Sequence, residues 1–418
     1  MKTLLFILVV ALSGGAVGQN WYQLSVPTTN KLLAIDFPSS SVGYIVGEDT
    51  TILKTTDRGQ TWNQLPANGI QTQSFAQTIT DVKFVNELTG FIAVGYSGVY
   101  KTIDGGQSWT FLSGQTSNMC FPQAIYPFSE TNGFVGGGGC FEGAIVDAFN
   151  AGAWTTTTSP GLFWDSEQKV QDIDFVNANV GLVAVKNQYM LRTTNGGQTW
   201  DTIPTGIALP GYLTSVVMVN DTLCYAGYGE VNTNGFGVLK SVDAGLTWTQ
   251  DINSATFFYP DYFCVAAATN GAIYAGGKPS NTPGGLIFKT NLTANTTWDY
   301  ATVDQPIHDM DSYGSDVTFG VGDSGYVVVN VPPGNLGHQE TALALSVVLY
   351  PNPVHTQLTI ESAFDVLAVQ VFNVDGKEVK VNFLNGKKVL DVSMLASGMY
   401  TVMIQTEKGS AVERMCVE

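Results

Sequence analysis

The sequence predicts an all-β chain, a seven-bladed β-propeller followed by a small Ig-like β-sandwich, on three observations. Trp21, Trp62, Trp109, Trp154, Trp200, Trp248 and Trp298 recur at gaps of 41, 47, 45, 46, 48 and 50 residues. Four of them close nearly the same eight-residue phrase, running from Thr55 to Trp62, Thr102 to Trp109, Thr193 to Trp200 and Ser241 to Trp248. Between phrases the chain breaks into short apolar runs separated by Gly, Asn and Asp, as strands and turns require. A strand-rich period in the forties marks a propeller blade, a four-stranded sheet whose apolar face only its neighbours can cover.

The elements follow in order. Residues 1–18 carry Lys2, an apolar run over 4–12 and small residues at Ala16 and Gly18, the pattern of a secretory signal peptide. The run is too short for a membrane span, which needs about 20 apolar residues, and no other stretch is long enough. The propeller is expected over 19–331. In its second repeat, strands are predicted over 79–84, 89–95, 98–102 and 108–112. The innermost strands of the seven repeats begin near Leu33, Asp81, Gln123, Asp172, Ser215, Cys264 and Asp309. The seventh repeat runs out near Val331 without a tryptophan. Asn20-Trp21-Tyr22-Gln23-Leu24 matches Thr61-Trp62-Asn63-Gln64-Leu65 and supplies the missing outer strand, closing the ring and removing an open sheet edge. A linker over 332–345, with Pro332-Pro333-Gly334, leads into residues 346–418, where alternating apolar residues and Asp-Gly turns predict the β-sandwich.

Net charge is −17, of which residues 346–418 contribute only −2, so the acid lies in the repeats. That argues against nucleic acid or anionic lipid as a partner. Cys120 and Cys140 flank one repeat segment and suit a bridge, as do Cys224 and Cys264 in neighbouring repeats; four cysteines allow three connectivities, and Cys416 stands alone. With no close cysteine pair and three histidines, neither a metal nor a cofactor site is expected.

The repeated phrase resembles the Asp-box (BNR-like) turn of sialidase-like propellers. The resemblance implies structural boxes on the face away from the functional site, with Asp57, Asp104, Asn195 and Asp243 holding the turns. Trp62, Trp109, Trp200 and Trp248 would then pack between sheets. The ring and its Asp-Gly-Gly-x-Ser/Thr-Trp phrase are also similar to the photosystem II assembly factor family of seven-bladed propellers, although that family's basic binding patch is absent. Sialidase activity needs three clamping arginines. Here Arg58 lies within a box, Arg192 at the edge of one and Arg414 in the tail. The C-terminal segment contains Tyr350-Pro351-Asn352-Pro353-Val354, Asp375-Gly376-Lys377 and Leu395-Ala396-Ser397-Gly398-Met399-Tyr400. It resembles the type A sorting domain of the type IX secretion system of Bacteroidetes. This implies the secretion machinery as a partner, export through the outer membrane, and a secreted or cell-surface location.

Function is expected on the top face, opposite the boxes, where insertions over 113–121, 136–143, 159–168, 229–237, 251–262 and 277–285 gather. Trp164, Tyr259 and Tyr262 are candidate ligand-binding aromatics there. Asp81, Asp172 and Asp309 occupy equivalent places on inner strands, with Asp174 and Asp311 two residues along on the same strand face. They suit ligand binding, of a glycan or an extracellular protein, or, with Asp172 and Asp309 as an acid/base pair, glycoside cleavage. The binding or scaffold reading leads, and a propeller glycosidase is the alternative. The run 136–139 of glycines reads as a turn or a close blade contact, and no nucleophile elbow occurs.

Overall fold

The structure is a computed structural model. It describes residues 21–417 apart from 72–76, 113–118, 140–142, 159–168, 208–210, 231–235, 254–262, 269–270, 279–283, 292–297, 315–316, 332–335, 337–347, 363–364, 374–377, 385–387 and 407–408. Two compact units are present, residues 1–337 and 338–418.

The first unit contains seven four-stranded antiparallel sheets, the blades. Their innermost strands are Leu32–Asp36, Ile79–Phe84, Met119–Pro127, Val170–Phe175, Gly211–Met218, Phe263–Ala267 and Ile307–Tyr313. Blade 2 continues through Gly90–Val94 and Gly98–Thr102 to Thr110–Phe111, within two residues of the sequence-based bounds. Second strands such as Gly43–Gly47, Gly90–Val94 and Gly181–Val185 are buried at every residue, because a neighbouring blade covers each face. The outer strand of blade 2 is exposed at both residues. Blade 7 is completed by the N-terminal strand Tyr22–Leu24, which pairs antiparallel with Val327–Val329 in the register Tyr22 to Val329.

Among the described residues, every seam between blades holds one tryptophan of the ladder. Trp62 packs between blades 7 and 1, Trp109 between 1 and 2, Trp154 between 2 and 3, and Trp200 between 3 and 4. Trp248, Trp298 and Trp21 fill the last three seams. The repeated turn places them. In blade 2 Asp104 accepts hydrogen bonds from the Thr102 hydroxyl at 2.7 Å, the Ser108 N–H at 3.0 Å and the Ser108 hydroxyl at 2.5 Å, and Asp57, Asn195 and Asp243 make the corresponding contacts. The glycine that follows has a second duty. At Gly59, with φ +82°, an added Cβ would lie 2.5 Å from the Phe319 ring, so the turn of blade 1 rests flush on blade 7.

A second repeated device was not anticipated from the sequence. The residue before the opening Thr or Ser of each turn is a cation, and in blades 1, 2 and 4 it reaches to the following blade. Lys54 donates to the Gly105 carbonyl at 3.0 Å, Lys101 to the Glu130 carbonyl at 2.6 Å and Arg192 to the Ala244 carbonyl at 2.8 Å. Lys54, Lys101, Lys240 and Lys289 also sit over the rings of Tyr44, Phe91, Tyr225 and Tyr274.

The expected pairing of Cys224 with Cys264 is not made. Both are free buried thiols on adjacent blades, Cys224 facing the seam between blades 4 and 5 and Cys264 that between blades 6 and 7, so they point away from each other. Cys120 is disulfide-bonded, whereas Cys140 lies outside the described residues. In the second unit, two four-stranded sheets enclose a core of Val354, Leu358, Ile360, Val371, Leu390, Val402 and Met415, a β-sandwich.

We expect Trp109→Ala to destabilise the propeller by about 3–5 kcal/mol in urea unfolding. Ile103→Ser, two residues into the same turn and 70% exposed, is expected to stay within about 0.5 kcal/mol of the parent.

Candidate functional site

The site is built by a deformation of the inner strands. In six blades the ladder between first and second strands slips by one residue near its start, leaving an extra residue at Leu33, Thr80, Gln123, Gln171, Thr214 and His308. A bulge of this kind re-aims a side chain. All six extra residues line one cavity of about 800 Å³ at the mouth of the central channel. Lys31, Lys83, Lys186 and Lys278 share its wall, as do Tyr126 and Tyr212. Lys186 and Lys278 follow second strands, so the mouth opens on the face opposite the repeated turns.

The slip also corrects the ring of equivalent positions, which runs Ala34, Asp81, Ala124, Asp172, Ser215, Cys264 and Asp309. Leu33 and Gln123 belong to the bulges. The aspartates of this ring act across seams. Asp81 accepts the Val82 N–H of its own strand at 2.8 Å and the Ile125 N–H of the next blade at 2.7 Å. Asp172 takes Ile173 and Val216, and Asp309 takes Met310 and Ile35, at 2.8–2.9 Å. Two residues along, Asp174 takes Phe175 and Met218, and Asp311 takes Ser312 and Phe37. Asp36 accepts the Phe84 N–H, the Ser215 hydroxyl accepts the Val265 N–H, and the Tyr126 hydroxyl donates to the Phe175 carbonyl. Among the described residues, six of the seven seams are thus bridged at the channel by an inner-strand side chain. Lys83 and Asp36 approach to 3.6 Å inside this ring. Sequence reasoning found the aspartates at 81, 172 and 309 but missed Lys83, Asp36 and the bulges, which put Leu33 and Gln123 one residue out of the ring.

Burial within the ring governs the titration of these carboxyls. It pushes Asp81 and Asp174 up to about 6 and Asp309 and Asp311 up to about 7, against the pull of Lys83 and of the donated N–H groups. Asp172 is likewise raised well above the ordinary range by burial. Burial also holds His308 below its usual value, while its Nε2 lies 2.8 Å from Asp323. Trp164, Tyr259 and Tyr262 lie outside the described residues.

Residues 15–117 and 124–298 match the family of the photosynthesis system II assembly factor YCF48. The chain belongs to that family. Among solved structures, YCF48 bound to D1 peptide is 16% identical, with a TM-score of 0.56, over 75% of this chain and 97% of that one. YCF48 from Cyanidioschyzon merolae is 14% identical, with a TM-score of 0.57, over 74% and 98%. The WD40 β-propeller domain of Doa1 is 13% identical, with a TM-score of 0.53, over 74% and 94%. At these identities the likeness is one of fold. Residues 348–418 match the secretion system C-terminal sorting domain, which marks the chain for type IX secretion and an extracellular or cell-surface location. No curated protein matches the chain. Among the described residues no helix is long and apolar enough to cross a membrane.

The raised carboxyls make stability depend on pH with a definite sign. Between the ordinary value of 3.8 and about 7, the folded chain holds protons that the unfolded chain has released. Their contribution is therefore full below pH 3.8 and is lost as pH rises through 6–7. Asp104, held down to about 2, works in the opposite sense and loses its contribution only as pH falls through that value. We expect the melting temperature to rise from pH 8 to pH 5, by about 2–4 °C per kcal/mol recovered. Asp309→Asn should flatten this dependence in calorimetry across that range.

Proposed function

We propose that the chain is an exported recognition module that holds an extracellular ligand, a glycan or a protein segment, over the channel mouth. The observation that carries this reading is the set of six bulges, which turn Leu33, Thr80, Gln123, Gln171, Thr214 and His308 into one cavity on the face opposite the repeated turns. A polar, concave site on a rigid ring suits binding. The fold has been solved elsewhere with a peptide bound, in YCF48 with D1 peptide, which supports a recognition role for the scaffold.

The alternative, glycoside hydrolysis with Asp172 and Asp309 as acid and base, asks those carboxyls to meet substrate. Each of their oxygens already accepts a backbone N–H, and each carboxyl ties two blades together. Their raised titration is the one feature that favours proton transfer. In the binding reading, Asp81, Asp172 and Asp309 shape the site from behind, and Trp164, Tyr259 and Tyr262 are proposed ligand contacts. The repeated turns act as Asp-box staples, and residues 1–18 act as the signal peptide that delivers the chain to the type IX machinery.

Two experiments test this. Gln123→Ala combined with Gln171→Ala should weaken capture on a mixed glycan and peptide array at least about tenfold while leaving the melting temperature unchanged. Unaltered capture would move the site off the mouth. In the producing cell, loss of residues 348–418 should leave the protein inside the outer membrane, and the exported form should begin near Gln19 in N-terminal sequencing.

A further inference from the structure

Beside the mouth, on the same face, an aromatic pair and a cation are fixed in place. Tyr96, in the turn after the second strand of blade 2, is 70% exposed and has φ +61°, a left-handed conformation that costs a bulky side chain energy. Its N–H donates to the Cys120 carbonyl of blade 3 at 3.1 Å, and Cys120 is itself disulfide-bonded. The turn is therefore pinned across a seam. The Tyr96 ring meets Phe121 edge to face, with centroids 4.5 Å apart. On that same Phe121 ring sits the Lys169 ammonium of blade 4, 4.2 Å from the centroid.

The glycine run in the second strand of blade 3 explains how Lys169 gets there. An added Cβ at Gly138 would lie 2.7 Å from the Lys169 side chain, and one at Gly136 would lie 2.4 Å from Val170. Without side chains at 136 and 138, the start of blade 4 lies flat on blade 3 and carries the lysine stem over to Phe121. Two residues after Phe121 and Lys169 come Gln123 and Gln171, both in the cavity wall. The platform thus lies two strand residues from the cavity wall on two neighbouring blades.

We propose that this surface binds an acidic sugar of an extracellular polysaccharide. The pyranose ring stacks on Tyr96, its carboxylate pairs with Lys169, and the amides of Gln123 and Gln171 take its hydroxyls. Stacking on a fixed exposed ring beside planar amides is sugar chemistry. A peptide strand added to an inner-strand edge is the rival, and it finds the N–H groups of Ile35, Phe37, Phe84, Ile125, Val216, Met218 and Val265 already taken by neighbouring side chains. Local charge agrees. Lys169 stands beside a mouth whose wall holds Lys31, Lys83, Lys186 and Lys278, and the aspartates of that wall at 81, 172, 174, 309 and 311 already accept backbone N–H groups on both oxygens. The strain at Tyr96 is retained where glycine would relieve it, in keeping with a side chain kept for contact.

The inference rests on recognition at the mouth, and the test separates the two. The probe is polygalacturonate, applied to the full chain by affinity electrophoresis, with dextran as the neutral control and poly-glutamate as competitor. We expect retardation by polygalacturonate alone, weakening with salt, and about tenfold weaker in Tyr96→Gly and in Lys169→Met. Glycine suits the left-handed turn and methionine keeps the stem on Gly138, so neither variant should lower the melting temperature. No retardation of the parent chain, equal retardation of the two variants, or displacement by poly-glutamate would each overturn the acidic-sugar site. Retardation lost in the Gln123→Ala, Gln171→Ala variant but kept in Tyr96→Gly would overturn the stacking platform and leave recognition at the mouth intact.

Discussion

Among the described residues, every blade of this ring meets its neighbours without a shared strand ladder. The inner strand of each sheet turns an open edge towards the channel, and such edges are unstable unless something occupies their N–H groups. Here side chains do so. Aspartates at 36, 81, 172, 174, 309 and 311 each take an N–H from the inner strand of the following blade. Further out, one tryptophan per seam excludes water, and on the far face a cation from each third strand among blades 1, 2 and 4 reaches across to the next blade. Channel, core and far face are thus stitched by three different chemistries on the same repeat.

That constraint decides how the mouth is read. Carboxyls bound on both oxygens and crowded inside a ring titrate high, which resembles the signature of catalysis. The cause here is burial combined with a structural duty. The layer above, where the bulged residues line the cavity, is what faces a ligand. A bulge leaves the strand pairing intact below it while turning one side chain per blade inward, so the ring can vary its cavity without disturbing its seams. The Tyr96, Phe121 and Lys169 cluster extends the same logic, since a glycine run and a pinned turn fix its geometry from outside the cavity.

The ring was legible in the sequence because its seams are repetitive. The tryptophan spacing, the Asp-Gly phrase and the displaced strand at Tyr22–Leu24 each carry a pattern, and the sorting tail carries motifs in order. The site was less legible for a physical reason. A bulge shifts register by one residue and leaves no compositional mark, so Leu33 and Gln123 read as ring positions when Ala34 and Ala124 hold them. Asp172 and Asp309 read equally well as ligands, catalysts or bridges until the next blade's N–H groups are placed against them. Lys169 over Phe121 joins residues nearly fifty apart through Gly138, a contact that no local pattern encodes. Cys224 and Cys264 suggested a bridge by lying in neighbouring repeats, yet each faces a different seam.

Amide hydrogen exchange at Ile35, Ile125 and Val216 tests the bridging of blades by inner-strand carboxylates most directly. These N–H groups face the channel and have no ladder partner, so protection must come from Asp309, Asp81 and Asp172. The account predicts slow exchange at all three, with Asp309→Ala releasing Ile35 while Ile125 and Val216 stay protected. Fast exchange at these amides in the parent chain, or protection of Ile35 that survives Asp309→Ala, would contradict it.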